Sequence, residues 1–310
     1  MDSLRRFWDA VEAFVDALGA VALGPLLLAV AFHVANLVLR TRGWRNILGA
    51  AYPDADVRWP PVFGAYTAGV GVNSVIPARL GDVVKLLLVH RSVPGSTYPT
   101  LTASLLAETV FDMVMGSAIL LWALTFGITP ELPDLPNLPI FEFSWMARHP
   151  LITGVGVILA LAALGVWLII AQHRIRAFWA RVEQGLAILR TPRVYGRTVV
   201  TYQAAGWVCR AITAYFFLRA FHIDATLRNA LLIMVVQAVA TVMPFTPGGV
   251  GPKQALLVVV LAGQAGEADV LALSVGMEIA IVATNVAVGA ASLAVLFRGS
   301  GGIRGAIAEA

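Results

Sequence analysis

Charge, sulfur and lysine are what this sequence has least of. Only 13% of its 310 residues are charged, against about 25% in an ordinary soluble domain. That excludes a typical soluble enzyme and a disordered tail. The single cysteine, Cys209, lies inside an apolar segment, which excludes a disulfide framework and a thiolate metal site. Five histidines, at 33, 90, 149, 173 and 222, show no paired spacing suited to zinc, so no metal is expected. The opening residues mix acids with bases and lack the short apolar core and small-residue cleavage site of a signal peptide; they are expected not to be one. Of 22 basic residues only two, Lys85 and Lys253, are lysines. The ratio reads as codon preference, but the position of the two lysines does not.

What is abundant is apolar surface. Hydrophobic residues make up 59% of the chain, and the mean hydropathy is +0.80. Residues 4–17 alternate apolar and charged positions at helical spacing, as in a helix lying on a membrane surface. Full spans are predicted at about 19–39, 100–126, 151–171, 199–221 and 270–297. Two pairs of shorter apolar pieces, 61–76 with 80–90 and 229–243 with 252–264, surround Pro/Gly breaks. Pieces of this length fall short of a hydrocarbon core of about 30 Å. Each pair therefore reads as a re-entrant helical hairpin, with two distorted full spans as the alternative. The fold class is all-α, a polytopic membrane protein with about five spans and two hairpins. It forms one domain over 1–298, with a flexible cytoplasmic tail at 299–310.

Loop charges orient this layout. Residues 40–60 hold Arg40, Arg42, Arg45 and Arg58, and residues 172–198 hold six arginines with one acid, Glu183. Both read as cytoplasmic. Residues 127–150, with Glu131, Asp134 and Glu142, and residues 264–270, with Glu267 and Asp269, read as external. The N-terminus is then outside and the C-terminus inside the cytoplasmic membrane. The high pI of about 9.6 is explained by these arginines rather than by nucleic acid. Residues 174–197 form a basic amphipathic stretch suited to anionic lipid of the inner leaflet.

The hairpins resemble each other. Ser74-Val-Ile-Pro77 parallels Thr241-Val-Met-Pro244; Lys85 follows its proline by eight residues and Lys253 by nine; Glu108 follows Pro77 by 31 and Glu278 follows Pro244 by 34. Repeat one spans about 19–126 and repeat two about 199–297, joined by the span at 151–171. Entered from opposite faces, the two units form an inverted repeat, a plan with a site near the membrane midplane.

Charges in these segments are the candidate chemistry, since an intramembrane charge costs roughly 2.5–3.5 kcal/mol. Arg79, Asp82 and Lys85 share a helix face just after Pro77 and Gly81. Glu108 and Asp112 share a face of the span at 100–126 and are read as counter-charges to Arg79 and Lys85. In the second hairpin Pro244, Pro247, Gly248, Gly249 and Gly251 precede Lys253. Free N–H groups and the helix dipole there favour an anion. Without a GK[ST] ending or a preceding strand this is not a nucleotide-hydrolysis loop. Arg210 lies mid-span and is assigned to Glu278; His33 and Asn36 read as interhelical hydrogen-bonders. The competing reading of each cluster is structural, an internally paired set of charges that pins a hairpin or a helix contact.

Pro77-x-Arg79-x-Gly81-Asp82-x-x-Lys85 resembles the P-x-R-x-G-E-x-x-R pattern of the lysylphosphatidylglycerol synthase transmembrane family, also called flippase-like domain proteins (UPF0104-type). Glu108-Thr-Val-Phe-Asp112 resembles its E-R-x-x-D, and Pro244 through Gln254 resembles its P-x-T-P-G-G-x-G-x-x-E. Order and spacing match along nearly the whole chain. Asp82 and Lys85 keep the family's charges, whereas Thr109 removes a base and Gln254 an acid, which weakens proton-coupling schemes copied from relatives. The resemblance implies translocation of a lipid; in larger members the membrane unit moves aminoacylated phospholipid made by an attached transferase. Lipid synthesis is not implied for this chain.

The expectation is a lipid translocase without cofactor or catalytic residue. Arg79, Lys85 and Lys253 would hold the anionic headgroup of a phospholipid or polyprenyl phosphate, balanced by Asp82, Glu108 and Asp112. A transporter of a small polar solute, a membrane-embedded lipid-phosphate transferase and a scaffold for an envelope enzyme remain alternatives. Oligomeric state is not readable.

Overall fold

A computed structural model describes residues 16, 19–76, 80–125, 176–242 and 252–299, without the side chains of 123–125, 239–242, 252 and 296–299. Helices account for nearly all of it. The first, α1 (Leu23–Ala51), has 29 residues, or about 44 Å at 1.5 Å per residue. It runs twelve residues beyond the apolar stretch 19–39 and stops at Tyr52, ahead of Pro53. Arg40, Arg42 and Arg45, expected in a loop, therefore lie on the helix. Each is accommodated there: Arg40 by carboxylates, Arg42 over the Trp59 ring at 4.0 Å, and Arg45 by donating to the Val57 carbonyl at 2.7 Å.

The short pieces have the lengths the sequence predicts. Helices α2 (Trp59–Val75) and α3 (Leu80–Ser92) have 17 and 13 residues. After α4 (Tyr98–Thr125), residues 176–185 are helical and lead through a 3₁₀ turn to α5 (Pro192–Tyr195). A π-helical segment, Gly196–Val200, joins α5 to α6 (Thr201–Ala220). Helices α7 (Leu227–Val242) and α8 (Pro252–Val260) are again short, at 16 and 9 residues. The last, α9 (Glu267–Gly299), has 33 residues and carries Glu267 and Asp269 in its first turn, where the dipole favours acids.

Among the described residues three helices are long and apolar enough to cross a bilayer: Leu23–Ala51, Tyr98–Trp122 and Glu267–Val295. The chain is a polytopic membrane protein. The amphipathic helix at 4–17, apart from residue 16, lies outside the described residues, as do the external segment 127–150, the span at 151–171 and nearly all of the tail.

Packing runs across the chain rather than along it. Helix α1 lies along α6, α2 along α9, and α4 touches α7. One buried cluster, around Phe217, Leu257 and Leu273, fills the space among α6, α8 and α9. A second, around Trp44, Ile47 and Leu101, fills that among α1, α2, α3 and α4. Small residues let backbones meet, as membrane helices require in the absence of a hydrophobic drive between them. A Cβ added to Gly71 would lie 3.0 Å from the Asn285 carbonyl oxygen, and one on Gly289 2.8 Å from that of Thr67. The tightest crossing is α2 on α3, where a Cβ on Gly81 would overlap the Gly69 carbonyl. Asn73 fastens it, accepting from the Gly81 N–H at 2.7 Å and donating to Asp82 at 3.3 Å.

Gly81→Ala is expected to cost about 1–3 kcal/mol by overpacking, since the obstacle is backbone. Thermal unfolding in detergent should show a lowered midpoint, and an unchanged midpoint would contradict this crossing.

Candidate functional site

Four helices converge on one arginine. Arg40 on α1 donates from Nη2 to Glu108 Oε1 at 2.8 Å and to Asp112 Oδ2 at 2.7 Å. Its Nε lies 3.2 Å from Glu108 Oε1 and 2.9 Å from the Tyr66 hydroxyl on α2. Tyr66 in turn donates to Glu108 at 3.2 Å. From α6, Trp207 Nε1 donates to Asp112 Oδ1 at 2.8 Å, and Gln203 donates to the Glu108 backbone carbonyl at 2.8 Å. Glu108 and Asp112 are one turn apart on α4, so both face α1. The planar fork of Arg40 suits two carboxylates at once.

Above this cluster lies a cavity of about 560 Å³. Its wall takes His33, Asn36 and Arg40 from α1, Asp112 from α4, Trp207 and Arg210 from α6, and Gln237 from α7. Lys253 from α8 and Glu278 from α9 complete its charged lining. Arg40, Asp112, Arg210 and Gln237 all fall in the interior of their helices, away from both ends. Thr109 lines the cavity and is also exposed.

The sequence-predicted residues fall into three groups. Arg79 and Pro77, and likewise Pro244, Pro247, Gly248, Gly249 and Gly251, lie outside the described residues. Asp82 and Lys85 pair with each other at 3.2 Å on α3. Lys85 is 7% exposed, sits 4.2 Å above the Tyr66 ring, and does not line the cavity. Lys253, also 7% exposed, does line it and forms an ion pair with Glu278.

Two assignments are corrected. The ion-pair partner of Glu108 and Asp112 is Arg40 rather than Lys85, whose own ion pair is with Asp82 and which lies over the Tyr66 ring, still within the field of Glu108. The partner of Glu278 is Lys253 on α8, not Arg210, because the lysine of α8 reaches the carboxylate of α9 directly. Arg210 instead stacks over Trp207 at 4.8 Å. His33 does bond across helices, to Asn285 Oδ1 at 2.8 Å, and Asn285 donates onward to Ser74 at 3.0 Å. Asn36 leaves its Oδ1 without a partner.

Tyr66, Trp207 and Gln203 were not singled out by sequence reasoning. The available signal was polar or amphipathic side chains inside apolar segments, which here carry the hydrogen bonds between helices. Among the described residues no three His, Cys, Asp or Glu side chains gather as a metal site.

The sequence matches the family described as "Lysylphosphatidylglycerol synthase TM region" over residues 6–289, and the chain belongs to that family. It is similar to UPF0104 membrane protein MJ1078 of Methanocaldococcus jannaschii, at 22% identity over 197 residues, covering 61% of this chain and 78% of that protein. It is also similar to glycosyltransferase AglD of Haloferax volcanii, at 27% identity over 288 residues, covering 78% of this chain and only 44% of that protein. No solved structure matches it.

Arg40→Gln leaves two carboxylates without their cation and is expected to destabilise the fold by about 3–5 kcal/mol. Adding Glu108→Gln and Asp112→Asn should recover much of that loss. Urea or thermal unfolding of the single and triple variants checks both statements; no recovery in the triple variant would mean that charge imbalance is not the cause.

Proposed function

We propose that this member of the family is a lipid translocase of the cytoplasmic membrane, moving an anionic or phosphate-containing lipid between leaflets. The observation that carries the reading is the charged cavity in the interior of helices drawn from both halves of the chain. A site of this kind, reached from either side in turn, is the working part of transporters built from inverted repeats. The packing supports such a repeat. If α1–α4 correspond to α6–α9, a two-fold operation turns the α2–α9 contact into α7–α4 and leaves α1–α6 as itself, and all three contacts occur. Lys85 and Lys253 then occupy equivalent places, equally buried and each paired with a carboxylate.

In this reading α2 with α3 and α7 with α8 are re-entrant hairpins among five full spans, and the N-terminus is outside. The acyl or prenyl tail stays in the bilayer while the headgroup enters, past Thr109, which both lines the cavity and is exposed. Movement is passive or ion-coupled. The stretch 174–197 rests on anionic inner-leaflet lipid, with Phe178 and Trp179 exposed beside Arg176 and Arg181.

A second reading, a membrane-embedded transferase acting on a lipid phosphate, draws on the name of the Haloferax relative. That relative is more than twice as long as the matched region, so its activity need not belong to the shared part.

Reconstitution in liposomes with leaflet-specific detection of labelled phospholipid and prenyl phosphate is the test. Wild type should equilibrate one of them faster than protein-free vesicles. Lys253→Ala, by stranding Glu278 in the cavity, should slow it on the order of tenfold. Equal rates in wild type and empty vesicles would overturn the reading. A reporter in the 172–198 loop reached from outside the cell would overturn the orientation.

A further inference from the structure

We infer that Arg210, held over the Trp207 ring, is the phosphate-binding residue of the cavity, and that the two lysines are not. The inference deepens the lipid-translocase reading and rests on it for the source of the phosphate. Every other charge in the cavity wall is already engaged: Arg40 with Asp112, and Lys253 with Glu278. Arg210 lines the same wall but, among the described residues, makes no ion pair and no hydrogen bond. A guanidinium in the interior of a membrane helix cannot shed its proton, and its charge is costly until an anion meets it.

The stacking geometry matches that task. The Arg210 Cζ lies 4.8 Å from the centre of the Trp207 ring, a cation–π contact that uses none of the guanidinium N–H donors and leaves them for the oxygens of a phosphate. The ring itself cannot swing away easily, because its N–H is committed to Asp112 Oδ1 at 2.8 Å. Lys85 is outside the cavity and Lys253 would have to leave Glu278 first. Trp207 also ties the occupied Arg210 to the Arg40–Glu108–Asp112 cluster, so headgroup arrival is felt by α4. The ligand class is a phosphate mono- or diester; a lipid headgroup and free inorganic phosphate share that chemistry.

The purified full chain in neutral detergent is titrated by calorimetry with dihexanoyl phosphatidylglycerol and, separately, with inorganic phosphate. Wild type should bind the short-chain lipid, and Arg210→Gln should lose at least about tenfold in affinity. Arg58→Gln, which removes an exposed arginine far from the cavity, should stay within about twofold. If Arg210→Gln does not fold, Arg210→Lys decides: charge without the planar fork should lose severalfold, and unchanged affinity overturns the inference. Equal binding by wild type and Arg210→Gln overturns it too, and leaves the translocase reading standing if liposomes still equilibrate lipid. Phosphate binding that depends on Arg210 in a chain that moves no lipid supports the residue assignment while the translocase reading falls. Absence of binding of either probe by wild type overturns the inference.

Discussion

A guanidinium that cannot be neutralised by losing its proton dictates the arrangement of the first half of this protein. Arg40 is carried into the interior by a helix that continues past its apolar stretch, and it must be met by opposite charge there. One carboxylate would suffice for charge. Two are supplied, together with a phenol on one side and an indole N–H on the far carboxylate oxygen. The result is a knot through which α1, α2, α4 and α6 are fixed relative to each other by polar bonds rather than by apolar burial. Such bonds are directional, so they select one mutual rotation of the helices where apolar faces would allow several.

The second half uses a lighter device. The ion pair of Lys253 with Glu278 joins α8 to α9. The arginine of α6 is left on an aromatic face. One half of the molecule is thus closed by its own charges, and the other is held short of closure. This imbalance leaves Arg210 as the cation of the cavity wall without an ion pair of its own.

Much of the fold was legible in the sequence because hydrophobic length and Pro/Gly breaks report directly on helix ends. The short segments α2, α3, α7 and α8 fall within a few residues of their predicted limits. The pairs that were legible are local or follow from opposite charges at helical spacing, as with Asp82 and Lys85. Arg40 was not legible. An arginine at the end of an apolar run looks the same whether it snorkels to the interface or is buried in an ion pair. Its carboxylates lie 68 and 72 residues away, and periodicity carries no information over that distance. Arg210 was misassigned for a related reason: charge arithmetic along a sequence pairs every base with some acid, whereas here the acid assigned to it is taken by Lys253. The hairpin breaks at 77–79 and 243–251 lie outside the described residues, so the glycine-rich anion site read from the sequence stands as an expectation.

The π-helical segment Gly196–Val200 sets a phase for everything that follows it. A helix advances about 100° per residue, and a wider turn absorbs one residue without a break in the rod. Trp207 and Arg210, both downstream of that turn, owe their bearing on the cavity to it, and Gln203 owes to it its reach to the Glu108 carbonyl. Insertions and deletions between Tyr195 and Thr201 are therefore not neutral changes of loop length. They act as a dial, and only steps close to whole helical turns return the three side chains to their compass heading.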